Sequence, residues 1–313
     1  MRVAFLGSPP FATPVLRKLL DSRHEVVALV TRPDRPGGRG LAVRASPLVE
    51  LARERGLRVL QPETTKDPAF VAELESLAPD VLLVASYGEI LRRDVLDLAP
   101  HGALNVHASL LPRHRGASPI QAAILADDPQ TGVSIQRMVL ALDEGDVLSE
   151  VRTPIGGREN AGELLERLSA LGADASTAAL ELLEKGDARF RPQDPAAATY
   201  ARRIRKEDGR VDWSKSAAEI DRHVRAMTPW PGARAKSPDG REVVLLDVRP
   251  VAQVQAAGTS APGTLEVVDG APIVVTGHGL LEIVALKPAG RSRLTGADWL
   301  RGARLESGAR FTS

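Results

Sequence analysis

The stretch Val81-Leu82-Leu83-Val84-Ala85 decides the fold, because it is apolar without interruption and follows a helical pattern over residues 68–77. A strand with no polar positions is typical of a parallel sheet that helices cover on both faces. Other short strand patterns alternate with helical ones through the first half of the chain, at residues 3–6, 26–30, 104–107 and 133–139. The sequence therefore predicts an α/β fold with a doubly wound, mainly parallel, Rossmann-like sheet.

The turn after the first predicted strand does not fit a dinucleotide site. Such sites carry the pattern G-x-G-x-x-G, whereas this chain has Gly7-Ser8-Pro9-Pro10. Proline replaces the second glycine, the one that lets the backbone approach a pyrophosphate. We expect a strand-to-helix turn here, with Ser8 as the helix N-cap.

The last third of the chain has a different pattern. Short β-branched runs separated by Gly, Pro and Asp predict an antiparallel barrel or sandwich with little helix, at residues 243–248, 263–268, 273–276 and 280–286. A stretch rich in proline and alanine begins near residue 190 and indicates a linker. We predict a first domain over residues 1–189, a linker over 190–206 and a smaller β-barrel domain over 207–313.

Composition excludes several classes of site. The chain has 41 Lys+Arg against 40 Asp+Glu, a net charge of +1, so any contact with nucleic acid must come from local basic patches. It has no cysteine, which excludes disulfides, thiolate metal sites and a cysteine nucleophile. No His or Asp/His cluster has the spacing of a metal site. No apolar run approaches the roughly 20 residues of a membrane span and no signal peptide is recognisable, so we expect a cytoplasmic protein without membrane contact.

The candidate catalytic residues lie in Leu104-Asn105-Val106-His107-Ala108-Ser109-Leu110-Leu111-Pro112-Arg113-His114-Arg115-Gly116. In a strand, residues i and i+2 point to the same face, so Asn105 and His107 should project together. We expect them at the carboxyl end of the strand, where open α/β sheets bind ligands. An amide donor beside a group that can hold a proton suits the negative oxygen formed in acyl transfer.

A second polar stretch, Leu142-Asp143-Glu144-Gly145-Asp146, follows the strand pattern that ends at residue 139. In a doubly wound sheet the loop after that strand can open onto the same edge as His107, where a carboxylate would fix the imidazole. Asp143 and Asp146 both qualify on spacing. The alternative is a structural histidine at the end of a strand and a solvated acidic turn.

The pattern Asn105-Val106-His107-Ala108-Ser109-Leu110-Leu111-Pro112-x-x-Arg115-Gly116 resembles the signature of the folate-dependent formyltransferases. The resemblance implies that Asn105, His107 and a later Asp are catalytic. That Asp lies in a Leu-Asp-x-Gly-Asp segment, which selects Asp143. The resemblance also implies that 10-formyltetrahydrofolate donates the formyl group without a metal, and that the folate site is lined by Ser109, Leu110, Leu111 and Pro112.

Further segments resemble the branch of this family that formylates methionyl initiator tRNA. They are the basic loop over residues 31–40, Tyr87-Gly88-x-Ile90-Leu91, Val211-Asp212-Trp213 and Pro229-Trp230-Pro231, the last two resembling an OB-like RNA-binding domain. The resemblance implies that Arg35 and Arg39 of the loop contact tRNA. A basic run over residues 202–206 supplies Arg203 and Lys206 as further candidates for phosphate binding, although such a run can also be simply solvated.

Two other interpretations remain at this stage. Another formyl-folate enzyme, acting on a small amine or a sugar or hydrolysing formyl-folate, would share the Asn, His and Asp set. A non-catalytic RNA-binding protein would not need to keep all three residues. No obligatory protein partner is indicated.

If the loop binds tRNA, Arg39→Ala should weaken formyl transfer to charged tRNA without lowering thermal stability, because an arginine in a polar, glycine-rich loop is expected to contribute little to folding. Steady-state kinetics and a thermal melt measure the two effects. Unchanged kinetics would exclude the loop from tRNA binding.

Overall fold

The computed structural model describes residues 1–35, 45–251 and 260–312. Their contacts divide the chain into two compact units, which we name the N-terminal and C-terminal units. The predicted boundaries at residues 189 and 206 stay a prediction. The N-terminal unit consists of Met1–Pro119, Pro129–Pro154 and Leu165–Arg202, and the C-terminal unit of Ile120–Asp128, Ile155–Leu164 and Arg203–Ser313.

The described part of the N-terminal unit is built on a seven-stranded sheet with the order β3-β2-β1-β4-β5-β7-β8. The predicted α/β fold with a mainly parallel sheet is confirmed, since β3, β2, β1, β4 and β5 run parallel. Strand β4 is buried at all five positions, as its composition predicts. The strands up to residue 201 are β1 (Arg2–Gly7), β2 (Glu25–Val30), β3 (Val59–Leu60), β4 (Val81–Ala85), β5 (Ala103–His107), β6 (Arg115–Gly116), β7 (Gln130–Arg137), β8 (Val147–Pro154) and β9 (Tyr200–Ala201).

The last two strands of the sheet reverse direction. Strand β7 pairs antiparallel with β5, and β8 pairs antiparallel with β7. The sequence did not reveal this reversal, because an apolar strand pattern carries no information about the direction of its neighbours.

Helices connect the strands, and local capping explains where two of them start. Ser46 and Asp67 accept hydrogen bonds from the first turns of their helices, and each is followed by proline at the first helical position. The expected cap at Ser8 is wrong: helix α1 has Phe11 as its N-cap, and the Ser8 hydroxyl donates to the Tyr87 carbonyl. Up to residue 185 the helices are α1 (Ala12–Leu20), α2 (Pro47–Glu54), α3 (Pro68–Ser76), α4 (Arg93–Leu96), α5 (Pro119–Leu125) and α6 (Ala161–Lys185).

Helix α6 packs closely against one face of the sheet at Gly172. A Cβ atom at this position would lie 2.9 Å from Cγ1 of Val106 on β5, so a larger residue would push the helix away. Val106 therefore faces this helix, and its neighbours Asn105 and His107 face the other side of the sheet. No helix in the described ranges is long and apolar enough to cross a membrane.

The C-terminal unit contains an antiparallel sheet, with the order β10-β11-β14-β13-β12 and with β15 paired to β14. The predicted antiparallel domain is confirmed. A helix that the sequence analysis did not name, α7, precedes the sheet and begins at a capping box of Ser216 and Glu219. The elements are α7 (Ala217–Met227), β10 (Ala233–Lys236), β11 (Glu242–Val251), β12 (Leu265–Val268), β13 (Ala271–Val275), β14 (Leu280–Pro288), β15 (Leu294–Thr295) and α8 (Gly296–Ala303).

The C-terminal segment links the two edges of this sheet. Thr312 bridges to Lys236 at the end of β10, and Arg310 bridges to Thr264 just before β12. The side chain of Phe311, between these two bridges, is 1% exposed. Its ring centroid lies 5.3 Å from that of Trp213 and 5.7 Å from that of Trp299. The segment thus covers both strand edges and seals the apolar interior with one aromatic ring.

Phe311→Ala should lower the free energy of unfolding by about 3–5 kcal/mol, because it leaves a cavity between two buried tryptophans. Urea unfolding followed by tryptophan fluorescence measures the loss. Thr312→Ala is the control: its side chain is exposed, and the change should stay within about 0.5 kcal/mol. A loss below about 1 kcal/mol for Phe311→Ala would contradict this packing role.

Candidate active site

Strand β5 presents two polar side chains on one face of the sheet, as its alternation predicts. His107 is 5% exposed, and Asn105 is partly buried. Gln136 on β7 lies directly opposite Asn105 in the antiparallel register. Directly opposed residues on paired strands project to the same face, so a second amide stands beside the first.

The loop after β7 reaches these side chains by an unexpected path. Because β7 is antiparallel to β5, its end at Arg137 lies opposite Leu104 rather than beside His107. The predicted route, with the loop opening at the carboxyl edge of the sheet, is therefore wrong. The loop nevertheless places Oδ1 of Asp143 3.3 Å from Nδ2 of Asn105 and 3.7 Å from Nδ1 of His107. The three residues proposed from sequence thus converge.

The Asp143 carboxylate accepts two further hydrogen bonds that the sequence did not suggest. The backbone N–H of Gly116 donates to Oδ2 at 2.8 Å, and Nε2 of Gln136 donates to Oδ1 at 2.8 Å. An ionised carboxylate can only accept hydrogen bonds, so the amides of Asn105 and Gln136 must both turn their NH2 groups toward it. The backbone of Asp143 has φ 55°, a conformation that is uncommon for a residue with a side chain.

The ring of His107 is fixed on its other side by a backbone carbonyl. Its Nε2 lies 3.0 Å from the carbonyl oxygen of His114. A carbonyl can only accept, so Nε2 carries a hydrogen and donates, and Nδ1 is turned toward Asp143. When both nitrogens of His107 carry a hydrogen, Nε2 faces the His114 carbonyl and Nδ1 faces the Asp143 carboxylate.

The second acidic candidate does not join the cluster. The side chain of Asp146 is exposed, and the contact of this residue with β7 is made by its carbonyl, which accepts from the N–H of Arg137 at 2.9 Å. Of the two positions that spacing allowed, the geometry brings Asp143 into the site. Among the described residues, no group of three or more His, Asp or Glu side chains is arranged to hold a metal ion.

The Ser109–Pro112 loop is fastened to β7 by its own polar groups. The Ser134 hydroxyl donates to the Ser109 carbonyl at 2.8 Å and accepts from the Leu111 N–H at 3.1 Å. The Ser109 side chain is fully buried, and its hydroxyl donates to the Arg113 carbonyl at 2.6 Å. Leu111 is also buried, whereas Leu110 and Pro112 are partly exposed. Of the four proposed folate-lining residues, these last two present the most side-chain surface.

An apolar cleft of about 90 Å³ opens beside Asp143. The loop after β4 and the loop after β7 form its walls, and four aliphatic side chains around it are between 44% and 74% exposed. Clustered exposed aliphatic groups mark a surface that a ligand covers. The sequence motifs contain two of these residues, but they did not predict that the side chains are exposed around a cleft. The four side chains are Ile90, Val139, Leu140 and Leu142.

Among the described residues, the lining of this cleft includes none of the proposed tRNA contacts. Arg35 is exposed and pairs with Glu63 at 3.1 Å. Arg39 falls in the range 36–44, which the structure does not describe. Arg203 and Lys206 are exposed residues of the C-terminal unit.

Comparison with known families decides the assignment. Residues 1–180 match the formyl transferase model, and residues 203–304 match the model of the formyl transferase C-terminal domain. The chain belongs to the formyl transferase family. This confirms the resemblance seen in the sequence, and the chain is a formyl-transferring enzyme.

This formyltransferase is 44% identical to methionyl-tRNA formyltransferase of Roseiflexus sp. strain RS-1, over 99% of its own chain and 95% of the relative. HypX of Aquifex aeolicus, solved in complex with tetrahydrofolic acid, shares the fold at 21% identity and a TM-score of 0.62. That match covers 96% of this chain and 47% of HypX, so the formyltransferase spans about half the length of HypX. An N-formyltransferase of Helicobacter canadensis, solved with folinic acid and dTDP-3-aminofucose, has 14% identity and a TM-score of 0.66, over 90% of this chain and 98% of that one.

In the formyltransferase, Asp143→Asn should lower the free energy of unfolding by about 1–3 kcal/mol, because an amide cannot accept from all three partly or fully buried donors and turns its own NH2 toward one of them. Asp146→Asn is the matched control in the same loop and should change stability by less than about 0.5 kcal/mol. Urea unfolding followed by circular dichroism compares the two variants. Equal stability of both would contradict the buried role of Asp143.

Proposed function

We propose that this chain transfers the formyl group of 10-formyltetrahydrofolate to the α-amino group of methionyl initiator tRNA. The observation that carries the proposal is the convergence of Asn105, His107 and Asp143 beside an open cleft. It is supported by the end-to-end likeness to a methionyl-tRNA formyltransferase, which includes the C-terminal unit.

The residues around the cleft fit a folate. Its flat ring system needs apolar walls and a few polar groups at the edge, and the cleft offers exposed Ile90, Leu140 and Leu142 next to the polar Asp143. The folate supplies the formyl carbon to which the amine adds. The two solved relatives that hold tetrahydrofolic acid and folinic acid support a folate donor.

Asn105 has a hydrogen to offer the reacting carbonyl. One N–H of its amide donates to Asp143, and the second can donate to the formyl oxygen as negative charge develops there. The charge of Asp143 fixes the direction of this amide before substrate arrives, so little reorganisation is needed during the reaction.

His107 and Asp143 would handle the proton of the incoming amine. The amine must attack in its neutral form, and it loses a proton as the new bond forms. The bond between the formyl carbon and the folate nitrogen then breaks, and that nitrogen takes up a proton, so that tetrahydrofolate leaves. Asp143 lies 3.7 Å from Nδ1 of His107 and holds the ring in one orientation, so either group can take the proton directly or through a water.

Local positive charge would bind the tRNA. A net charge of +1 gives the protein no general attraction for nucleic acid, so phosphate contacts must come from specific arginines and lysines. Arg35 and Arg39 of the basic loop are our candidates near the amino acid end, and Arg203 and Lys206 are candidates for the tRNA backbone.

The test is formyl transfer by the purified enzyme from 10-formyltetrahydrofolate to four acceptors: charged initiator tRNA, uncharged tRNA, free methionine and an amino sugar nucleotide. We expect N-formylmethionyl-tRNA to form and the other acceptors to react at background rates. Efficient transfer to the sugar or the free amino acid, or release of formate without an acceptor, would assign the chain to another formyl-folate activity.

Asn105→Ala should lower turnover about 100–1,000-fold, the usual effect of removing one donor to a developing oxyanion. His107→Ala should lower it about 100–10,000-fold, the usual contribution of a general acid or base. Circular dichroism should show both variants folded. His101→Ala, at an exposed histidine near the start of β5, is the control and should keep its activity. Near-normal turnover in either site variant would contradict the role assigned to that residue.

A further inference from the structure

Residues 190–201, which are the first part of the linker predicted over 190–206, are paired at both ends with other strands of the N-terminal unit. Arg191 and Val147 exchange two backbone hydrogen bonds of 2.9 Å, which extends the sheet at the start of β8. At the other end, β9 pairs parallel with β6. Strand β6 contains Gly116, whose N–H donates to Asp143. The segment is therefore joined to the strand that follows the Asp143 loop and to the strand whose Gly116 donates to the Asp143 carboxylate.

Between these two attachments, the side chain of Gln193 reaches the Asp143 loop. Its Nε2 donates to the carbonyl oxygen of Asp143 at 2.8 Å and to that of Gly145 at 2.6 Å. Its Oε1 accepts from Nε of Arg115 at 3.0 Å. Arg115 is itself 4% exposed, so this end of the amide is held by a buried cation. Both hydrogens and the oxygen of one carboxamide are thus used to join the loop to β6.

The Asp143 loop has reason to need this support. Asp143 has φ 55°, in the left-handed region that a residue with a Cβ adopts at some cost. Gly145 has no room for a side chain, because a Cβ there would overlap the carbonyl oxygen of Arg137. A tight turn of this kind persists only where surrounding contacts hold it, and two of its carbonyls are held by Gln193.

Gln193 also acts on Gln136, the residue that donates to the carboxylate. Its Nε2 also lies 3.3 Å from Oε1 of Gln136, which shares one of the two Gln193 hydrogens with a backbone carbonyl of the loop, while Nε2 of Gln136 donates to Oδ1 of Asp143 at 2.8 Å. Because the oxygen of Gln136 is engaged on the Gln193 side, its NH2 group must point at the carboxylate. The two amides form a chain in which each fixes the orientation of the next.

We propose that Gln193 is a positioning residue for formyl transfer. Its side chain holds two backbone carbonyls of the Asp143 loop, and it orients the amide of Gln136, which donates to the Asp143 carboxylate. This rests on the proposed function, in which Asp143 acts on the reacting groups. Gln193 does not touch substrate. Its loss should therefore lower kcat while leaving the binding of both substrates intact.

The first experiment is the substitution Gln193→Leu, which keeps the approximate side-chain size and removes every hydrogen bond. We expect kcat to fall about 10–100-fold, as it does when a group that orients an active-site residue is removed, with KM for both substrates within about twofold. Gln130→Leu is the matched control, since Gln130 lies exposed at the other end of β7. Its kcat should stay unchanged.

A second substitution distinguishes positioning of the Asp143 loop from a hydrogen bond to Arg115 alone. Gln193→Glu keeps an oxygen for the Arg115 guanidinium but turns a carboxylate oxygen, in place of the NH2, toward the carbonyls of Asp143 and Gly145. Positioning requires kcat to fall here as well, because oxygen atoms then face each other. A Glu variant with normal kcat would overturn the proposal, and so would a Leu variant in which KM rises while kcat is kept.

A third measurement does not depend on the reaction. Amide hydrogen exchange over residues 142–146 should be faster in Gln193→Leu than in the wild type, with no such change in Gln130→Leu. Unchanged exchange in this loop would refute the contact. If the wild type fails to formylate charged tRNA while the exchange difference is present, the proposed function is wrong and the role of Gln193 in holding the loop stands.

Discussion

The charge of one largely buried carboxylate, that of Asp143, determines the arrangement of the candidate active site. Its two oxygens accept from the amides of Asn105 and Gln136 and from the N–H of Gly116. A carboxylate withdrawn from water is costly unless its oxygens are occupied by donors, so the loop must lie where these donors are. The charge in turn dictates how both amides are turned, because it accepts hydrogen bonds and donates none. A single ionised group thereby orients both amides beside it.

The reversed direction of β7 makes this arrangement possible. Antiparallel pairing sets Gln136 directly opposite Asn105 and ends the strand at Arg137, beside the start of β5. The following loop then has to return past both amides before β8 begins at Val147. One strand therefore supplies a donor to the carboxylate and also leads into the loop that carries it. A parallel strand would have left the loop at the carboxyl edge of the sheet, away from a partner in mid-strand.

The sequence revealed those parts of the site that depend on local periodicity. The common face of Asn105 and His107 follows from the twofold repeat of a strand, and the buried β4 follows from its composition. Spacing could not separate Asp143 from Asp146, which required the family resemblance. Gly116 was not predictable as a donor, because a backbone N–H has no sequence signature.

Other features of the structure were not predicted from the sequence, for different physical reasons. Gln193 stands in a stretch of proline and alanine, where composition indicates a linker and gives no sign of tertiary contacts. The direction of β7 depends on pairing with distant strands. Helix α7 is a different case, because its capping box of Ser216 and Glu219 is a local pattern by which the sequence does indicate the start of a helix.

In the proposed reaction, the exposed aliphatic side chains around the cleft and the polar residues around Asp143 depend on each other. Ile90, Leu140 and Leu142 expose aliphatic surface around the cleft, and a ligand that covers them removes water from the neighbourhood of Asp143. Loss of water lowers the local dielectric, which strengthens the hydrogen bond that Asn105 can give to a developing negative charge. The same loss would penalise the carboxylate if its oxygens were not already filled by Gly116 and Gln136. Because the donors around Asp143 already occupy its oxygens, the cleft can lose its water without a large desolvation cost to the carboxylate.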